Sequence, residues 1–593
     1  MKRLFIVFVL FLTTTTVYTQ DPLDSGWLWA ERGGSGGSFS YGQFDNKYER
    51  VVDVAVDGDN NYYYLAEVGG YAFEFGDMEF ESYNDNANKK DIFVFSTDSE
   101  GIYRWGKVIG GGAEDFAASL VTDQMGNIYI SGTVFNLGQT PVHFDMDTIM
   151  DAYSFEPSPS NKAAFLIKYD SEGNFQWLQQ PEENAVMGRS GAFVKTIVMP
   201  NGQTHSLVWI GQGNYFNDNL IVNEGQVKFV ILKYDSDGNL EGFIPLDMKP
   251  NGQFSSDFYN YQFAYDHNLN QYYIADTYRL SVDPDDPLSI NGYGVDTPNK
   301  AFYLAAVDNQ GEVVWYHENE KVGSYVLGDL QIDDTGDIYI TGYLSADQGP
   351  DNFAGFVFDP EGTNSGKQDP FLVKLNSDGN LLWSTNANLF SPFLGQSIVV
   401  DGNNVYLGLG MVNNTWDGLE VPGPVQQGLI PDIQIIRFDA ETGVAQEVIS
   451  NNAITPTRDA IMAMALDNNG DLVVGGYFGS TLFGGTDLQI QNTGPDSDFF
   501  IAKYQPQDTG VGINEASVLN KIKVYPNPTS GMLNLQSQVA LTSYTLFDLQ
   551  GRIVKQASLA TNQVDLSGLE SGVYVLGVRG VDGNVWNTKV VIE

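Results

Sequence analysis

Between Tyr48 and Tyr504 one pattern returns about every 66 residues, and this period constrains the fold more than any other feature of the chain. Each unit opens with a strand ending in an acidic or polar turn. A Tyr-rich strand follows, as in Asn127-Ile-Tyr-Ile-Ser-Gly132 and Asp337-Ile-Tyr-Ile-Thr-Gly342. After a variable loop comes a strand such as Ala164-Phe-Leu-Ile-Lys-Tyr169 or Phe499-Phe-Ile-Ala-Lys-Tyr504. An Asp-x-x-Gly turn then leads into a strand with Trp, as at Asp98/Gly101/Trp105, Asp170/Gly173/Trp177 and Asp308/Gly311/Trp315; Asn376/Gly379/Trp383 keeps the spacing. The first strands end at Asp57, Asp123, Pro200, Asp266, Asp333, Asp401 and Asp467, with gaps of 66, 77, 66, 67, 68 and 66 residues. One such unit cannot bury both faces of its sheet, but units stacked in a ring bury each against its neighbours. The expectation is an all-β chain whose body, 20–504, is a seven-bladed β-propeller.

The last unit stops at Tyr504 without its Trp strand, and an orphan strand of that type, Gly26-Trp-Leu-Trp-Ala-Glu-Arg-Gly-Gly34, lies near the other end. The segment 25–34 is therefore expected to complete the last blade and remove an open sheet edge. The units, with the Gly-Gly-x-x-Asp step at Gly111 to Asp115, resemble the seven-bladed propeller repeats of bacterial exported proteins. That resemblance implies a fold and no particular chemistry.

Residues 1–19 read as a secretory signal peptide: Lys2 and Arg3, then the apolar run Leu4 to Leu12, then Val17-Tyr18-Thr19 before Gln20. That run is too short to cross a bilayer, which needs about 20 apolar residues, and no transmembrane segment is expected elsewhere. The chain has no cysteine, which excludes disulfides, thiolate metal sites, a cysteine nucleophile and lipoprotein acylation. Its formal charge of −45 is uneven. From Val518 onward six basic residues face five acidic ones, and the leader adds two basic residues, so the body between carries −48. Such a body repels nucleic acid and anionic membrane surfaces and attracts cations.

After a linker at 505–517 the repeat stops and residues 518–593 read as a small β-sandwich. The ordered motifs are Tyr525-Pro526-Asn527-Pro528 with Gly531, Asp548-x-x-Gly551-Arg552, Asp565-Leu566 followed by Gly572-x-Tyr574, and a terminal strand with Lys589. In order, spacing and position they resemble type A sorting domains of type IX secretion cargo. The resemblance implies the type IX machinery as partner. It also implies passage across the outer membrane, then removal of this domain with release or surface attachment. The bland alternative is a terminal sandwich with a binding role.

The body offers little sign of catalysis. His143, His205, His267 and His317 fall in different units without zinc-ligand spacing, and neither a nucleophile elbow nor a phosphate-binding loop is present. The Asp-x-x-Gly-x-x-x-Trp spacing is similar to that of pyrroloquinoline-quinone propellers and, one residue longer between Asp and Gly, to sialidase Asp-boxes; in both these residues are scaffold. Asp235 to Asn239 resembles half a calcium loop but reads as a turn. The candidate calcium sites are Asp283-Pro-Asp-Asp286 and His143-Phe-Asp-Met-Asp147, against the commoner outcome of solvated loops. The long segments Val134 to Lys162 and Tyr343 to Gln368 share one face of the ring, the expected working face. The expected role is a secreted or surface binding module for glycan or protein, with no catalytic or cofactor residue assigned. The competing readings are a hydrolase or lyase with an acidic site on the long-loop face, and a structural surface protein.

Overall fold

The computed structural model describes residues 26–506 and 522–592, apart from 36–48, 85–88, 124, 136–140, 146–147, 151–161, 182, 185–191, 212, 217, 224–227, 247–260, 278–288, 291–292, 295–301, 320–324, 346–350, 359–367, 388–395, 413, 422–430, 452–457, 495, 526, 530, 538–540, 548–551, 560, 570 and 581–584. The described residues form strands and turns with no helix, and so none long and apolar enough to cross a membrane. The chain divides into two compact units, Met1–Pro506 and Gln507–Glu593.

Among the described residues the first unit holds seven antiparallel four-stranded arrays, six of them in sequence order from the inside out. Their inner strands are Arg50–Val56, Phe116–Thr122, Ala192–Val198, Gln262–Asp266, Tyr325–Ile332, Gln396–Asp401 and Ala460–Leu466. Each inner strand contacts the next, and the seventh contacts the first, so the sheets form the closed ring of a β-propeller. In the seventh sheet the outer position is taken by Trp27–Gly34, which runs antiparallel to Asp498–Tyr504. There is no central core. Seven apolar clusters each span the boundary between two adjacent sheets, including the seventh and first. This explains the Tyr-rich second strands. Tyr62–Gly69 is buried along its whole length because neighbouring sheets cover both faces.

The Asp-x-x-Gly turns join the sheets around their rim. Gly173 has φ +78°, a left-handed conformation that glycine adopts without cost, and a Cβ there would strike the Trp105 ring at 2.6 Å. Trp105 Nε1 donates to the Ser171 carbonyl at 2.9 Å from the preceding sheet. The same pairing joins Trp177 to Ser236, Trp315 to Ser377 and Trp383 to Ala440. Trp29 makes the same contact between the seventh and first sheets, donating to the Ser99 carbonyl at 3.2 Å, while the third and sixth outer strands carry no tryptophan.

Between second and third strands the described residues include more than loop. In each sheet a short hairpin occupies this position, such as Val142–His143 with Ile149–Met150, or Asp351–Phe353 with Phe356–Phe358. Several hairpins clasp the outer strand of the preceding sheet, through Gly33 opposite Phe75, Gly110 opposite His143 and Ala387 opposite Trp416. Trp416 is fully buried and donates Nε1 to Thr385 Oγ1 at 2.7 Å. Runs of two to four residues are too short for hydrophobic periodicity to reveal, which is why these hairpins read as loops in the sequence.

In the second unit Ile522–Tyr525, Met532–Ser537 and Gln563–Asp565 form one antiparallel sheet. Leu541–Phe547, Ile553–Ser558, Gly572–Gly580 and Val585–Ile592 form the other. Leu533, Leu535, Val564 and Leu566 meet Leu546, Leu576, Val578 and Val590 in one core between them.

Candidate functional site

The inner strands of all seven sheets line an axial cavity of about 760 Å³. Five of them carry a β-bulge, beside Asp53, Ser119, Lys195, Asp329 and Ala463, and a bulge re-aims the side chain next to it. In the third sheet Met199, not Pro200, makes the turn bonds that Asp57 makes in the first. The position four residues before Asp57, Asp123, Met199, Asp266, Asp333, Asp401 and Asp467 is then Asp53, Ser119, Lys195, Gln262, Asp329, Ser397 and Ala463. Most of these side chains reach sideways to the next inner strand. Asp53 Oδ2 accepts the Leu120 amide at 2.9 Å, Asp329 Oδ2 the Ile398 amide at 2.8 Å, and Ser397 Oγ the Met464 amide at 3.0 Å. Ser119 Oγ accepts the Thr196 amide at 3.4 Å, and Gln262 Nε2 donates to the Gly328 carbonyl at 2.8 Å.

Lys195 breaks this pattern. It is a donor where its neighbours are mostly acceptors, and among the described residues its ion pair is with Asp53 Oδ2, 3.7 Å away, beyond hydrogen-bond reach. Burial lowers the ammonium's pKa, but the charges of Asp53 and Asp329 outweigh burial and hold it above its ordinary value. Lys195 therefore stays charged and acts as a donor, not as a base or nucleophile. Asp329 is pushed up by burial, against the pull of Lys195 and of the Ile398, Gln331 and Leu330 donors.

The acids with the largest upward shifts lie outside this cavity, at the long-loop end of the sheets. Glu49 precedes the first inner strand, accepts the Gly69 and Ser35 amides at 2.7 Å each, and is pushed up to about 7 by burial. Burial also pushes Asp432 up to about 7. Asp91 and Asp115 converge on Gly110, where a Cβ would overlap a carboxylate oxygen of each, and burial with the charge of Asp115 raises Asp91.

The candidate calcium segments give no assembled cation site. Residues 283–286 and 146–147 lie outside the described residues, while Asp145 is paired with Lys107 at 3.2 Å. Asp235 Oδ1 accepts the Asp237 and Asn239 amides, as a turn requires. No group of three or more His, Asp or Glu is gathered among the described residues. His205 is engaged by Gln203 and Tyr272 at 2.9 Å each, and burial, with Lys233 and His267, pushes it down to about 3. His317 meets the Gly379 carbonyl at 2.8 Å, and His143 stacks on Tyr83 with centroids 4.1 Å apart.

In the second unit much of the sorting motif comes together. Tyr525 pairs with Asn534 at the sheet edge, and Asn527 Oδ1 accepts the Val591 amide at 2.8 Å. The Gly531 carbonyl accepts the Leu566 amide, and Leu566 is fully buried. Asp565 Oδ1 accepts the Ser567 amide at 2.9 Å. Gly572 pairs with Ile592, Tyr574 with Val590 and Val575 with Lys589, so the Gly-x-Tyr strand lies beside the terminal one. Pro528 and Arg552 are exposed, and Pro526, Asp548 and Gly551 lie outside the described residues.

Fold and motif together define an exported all-β protein with a propeller body and a C-terminal address domain. Residues 523–593 match the family described as the secretion system C-terminal sorting domain, here of the type IX system, and the protein is one sent to the cell surface or beyond it. A search of curated protein sequences finds no match to the chain. Among solved structures the chain is similar to PorZ, a surface component of the type-IX secretion system of Porphyromonas gingivalis, at 13% identity over 94% of this chain and 82% of that one, TM-score 0.23. It is similar to the quinohemoprotein alcohol dehydrogenase of Comamonas testosteroni at 12% identity over 84% of each chain, TM-score 0.30. A protein of unknown function from Dyadobacter fermentans is similar at 10% identity over 81% of this chain and 99% of that one, TM-score 0.34. Likenesses this distant carry nothing about chemistry.

Proposed function

We propose that the body is a binding module for an extracellular glycan or protein, carried to the cell surface by its C-terminal domain, and that it performs no catalysis. The observation that carries this reading is the commitment of the charges at the axis. Asp53 and Asp329 hold the backbone of the next sheet, and Lys195 is kept protonated, so the charged groups at the axis act as fixed hydrogen-bonding groups. In this reading residues 1–19 are the leader, 20–504 the propeller, 505–517 a linker and 518–593 the sorting domain. The secretion machinery reads this domain through its motif residues Tyr525, Asn527, Asp565, Tyr574 and Lys589.

The mature chain, fluorescently labelled, is presented to glycan arrays and to detergent extracts of neighbouring cell surfaces, with the ligand recovered afterwards. Saturable binding with the ligand chemically intact supports a module. Shortened or unsaturated products would instead establish the hydrolase or lyase reading, and neither binding nor turnover would leave a structural role.

A further inference from the structure

The seven equivalent positions around the axis make Lys195 conspicuous. Asp53, Ser119, Gln262, Asp329 and Ser397 each lock their sheet to the next one, and Ala463 carries no polar group. A lysine at this position gives up the acceptor that four of its counterparts use. Among the described residues it leaves a charged side chain, about 30% exposed, that lines the lumen and faces Asp53 Oδ2 at 3.7 Å instead of bonding to the next sheet. A local departure from a repeated structural rule, without the sheet-to-sheet contact that rule provides, marks a functional position.

We propose that the axial cavity binds a short neutral saccharide, with the Lys195 ammonium donating to its oxygens and Asp53 accepting from its hydroxyls. This deepens the binding reading above and rests on it. The charge pattern selects the ligand class. Two carboxylates flank one ammonium inside a body of −48, so an anionic ligand is repelled. A carboxylate has about four lone-pair sites. Asp53 takes the Val54 amide on Oδ1 and the Leu120 amide on Oδ2 and so retains acceptor capacity, whereas Asp329 already takes the Leu330 and Ile398 amides and Gln331 Nε2. The wall also presents half-buried aliphatic side chains, including Val52, Ala55, Val121, Val400 and Met462, beside polar ones such as Gln331 and Tyr265. A pyranose offers the matching surface, apolar C–H faces rimmed by hydroxyls that both donate and accept. The volume falls within the range of about 300–1,000 Å³ usual for small-ligand sites.

The test is chemical footprinting of the full mature chain. Lysines are dimethylated with formaldehyde and cyanoborohydride, with and without neutral tri- and tetrasaccharides of glucose, xylose, mannose and galactose, and each lysine is quantified by mass spectrometry. A trigalacturonate serves as the acidic control. The expected result is a fall of at least about threefold in Lys195 labelling with one neutral series, with other lysines and the acidic control unchanged. In parallel, Lys195→Met and Lys195→Arg should weaken binding of that saccharide by about 10- to 100-fold, the loss expected for a charged hydrogen bond. The arginine variant keeps the positive charge that Asp53 and Asp329 face, so it separates lost contact from lost folding. If a neutral saccharide binds but Lys195 is neither protected nor required, the axial assignment is overturned while the module reading stands. If no neutral saccharide binds, the inference is overturned and only the protein-ligand arm of that reading is left.

Discussion

The phenol of Tyr62 donates a 2.7 Å hydrogen bond to Asp467, 405 residues further along the chain, across the boundary where the ring closes. In three other sheets the equivalent bond is local: Tyr63 to Asp57, Tyr129 to Asp123 and Tyr339 to Asp333. In the seventh sheet the tyrosine position is occupied by Val473, and Tyr62 of the first sheet supplies the missing donor. Side chains alternate faces along a strand, so the Tyr62-Tyr63 pair serves both neighbouring boundaries. Lys503 completes the seam, 2.9 Å from Asp467 and 3.0 Å from Asp471.

Two substitutions separate the parts of this seam. Tyr62→Phe removes two buried hydrogen bonds, one to Asp467 and one from Lys503, and should cost about 1–3 kcal/mol in urea unfolding of the body. Lys503→Met strands two buried carboxylates and should cost about 3–5 kcal/mol. Equal costs would show that the lysine does not neutralise the pair.

At the rim, Gly173→Ala combines a strained backbone with a collision against Trp105 and should destabilise by roughly 2–4 kcal/mol. Gly242→Ala, where a Cβ would meet nothing within 4 Å, is the control and should stay within about 1 kcal/mol of the parent. A similar loss at both would remove the packing explanation.

Stability should respond to pH through Glu49. Its folded pKa of about 7 lies above the unfolded value of 4.5, so the folded state holds a proton that the unfolded state has released. The associated stability is present below 4.5, falls as pH rises, and is gone above about 7. The full swing is roughly 3 kcal/mol. In denaturant unfolding, the stability difference between the parent and Glu49→Gln should change by that amount across these limits. Parallel curves would place the ionisation of Glu49 elsewhere.

Removal of 518–593 should abolish surface delivery without unfolding the body, because the two units have separate cores. Immunoblots of cell fractions should then find the truncated chain in the periplasm. Truncated chain at the surface would mean that delivery does not depend on the C-terminal domain.

Much of this architecture is legible because its determinants are local and repeat. The Asp-x-x-Gly turn folds on its own hydrogen bonds, as when Asp170 Oδ1 accepts the Glu172 and Asn174 amides, so the sequence records it every time it is built. The motifs around Tyr525, Asp565 and Tyr574 are readable for the same reason, being contiguous runs in a fixed order. The hairpin clasps escaped because their strands are only two to four residues long, as at Val142–His143 and Asn414–Trp416.

Lys195 shows the limit of such reading. In the sequence it is one lysine in an otherwise degenerate third unit, with nothing to set it apart. Its meaning depends on the bulge beside it and on the Asp53 and Asp329 that the closed ring brings to face it across the axis. The repeat period, the turns, the Trp strands and the sorting motif were determined by residues close together in the chain. The axial cavity, the Tyr62–Asp467 seam and the setting of Lys195 were decided only when seven sheets closed on one another, because contacts between residues far apart in the chain leave no periodic trace along it.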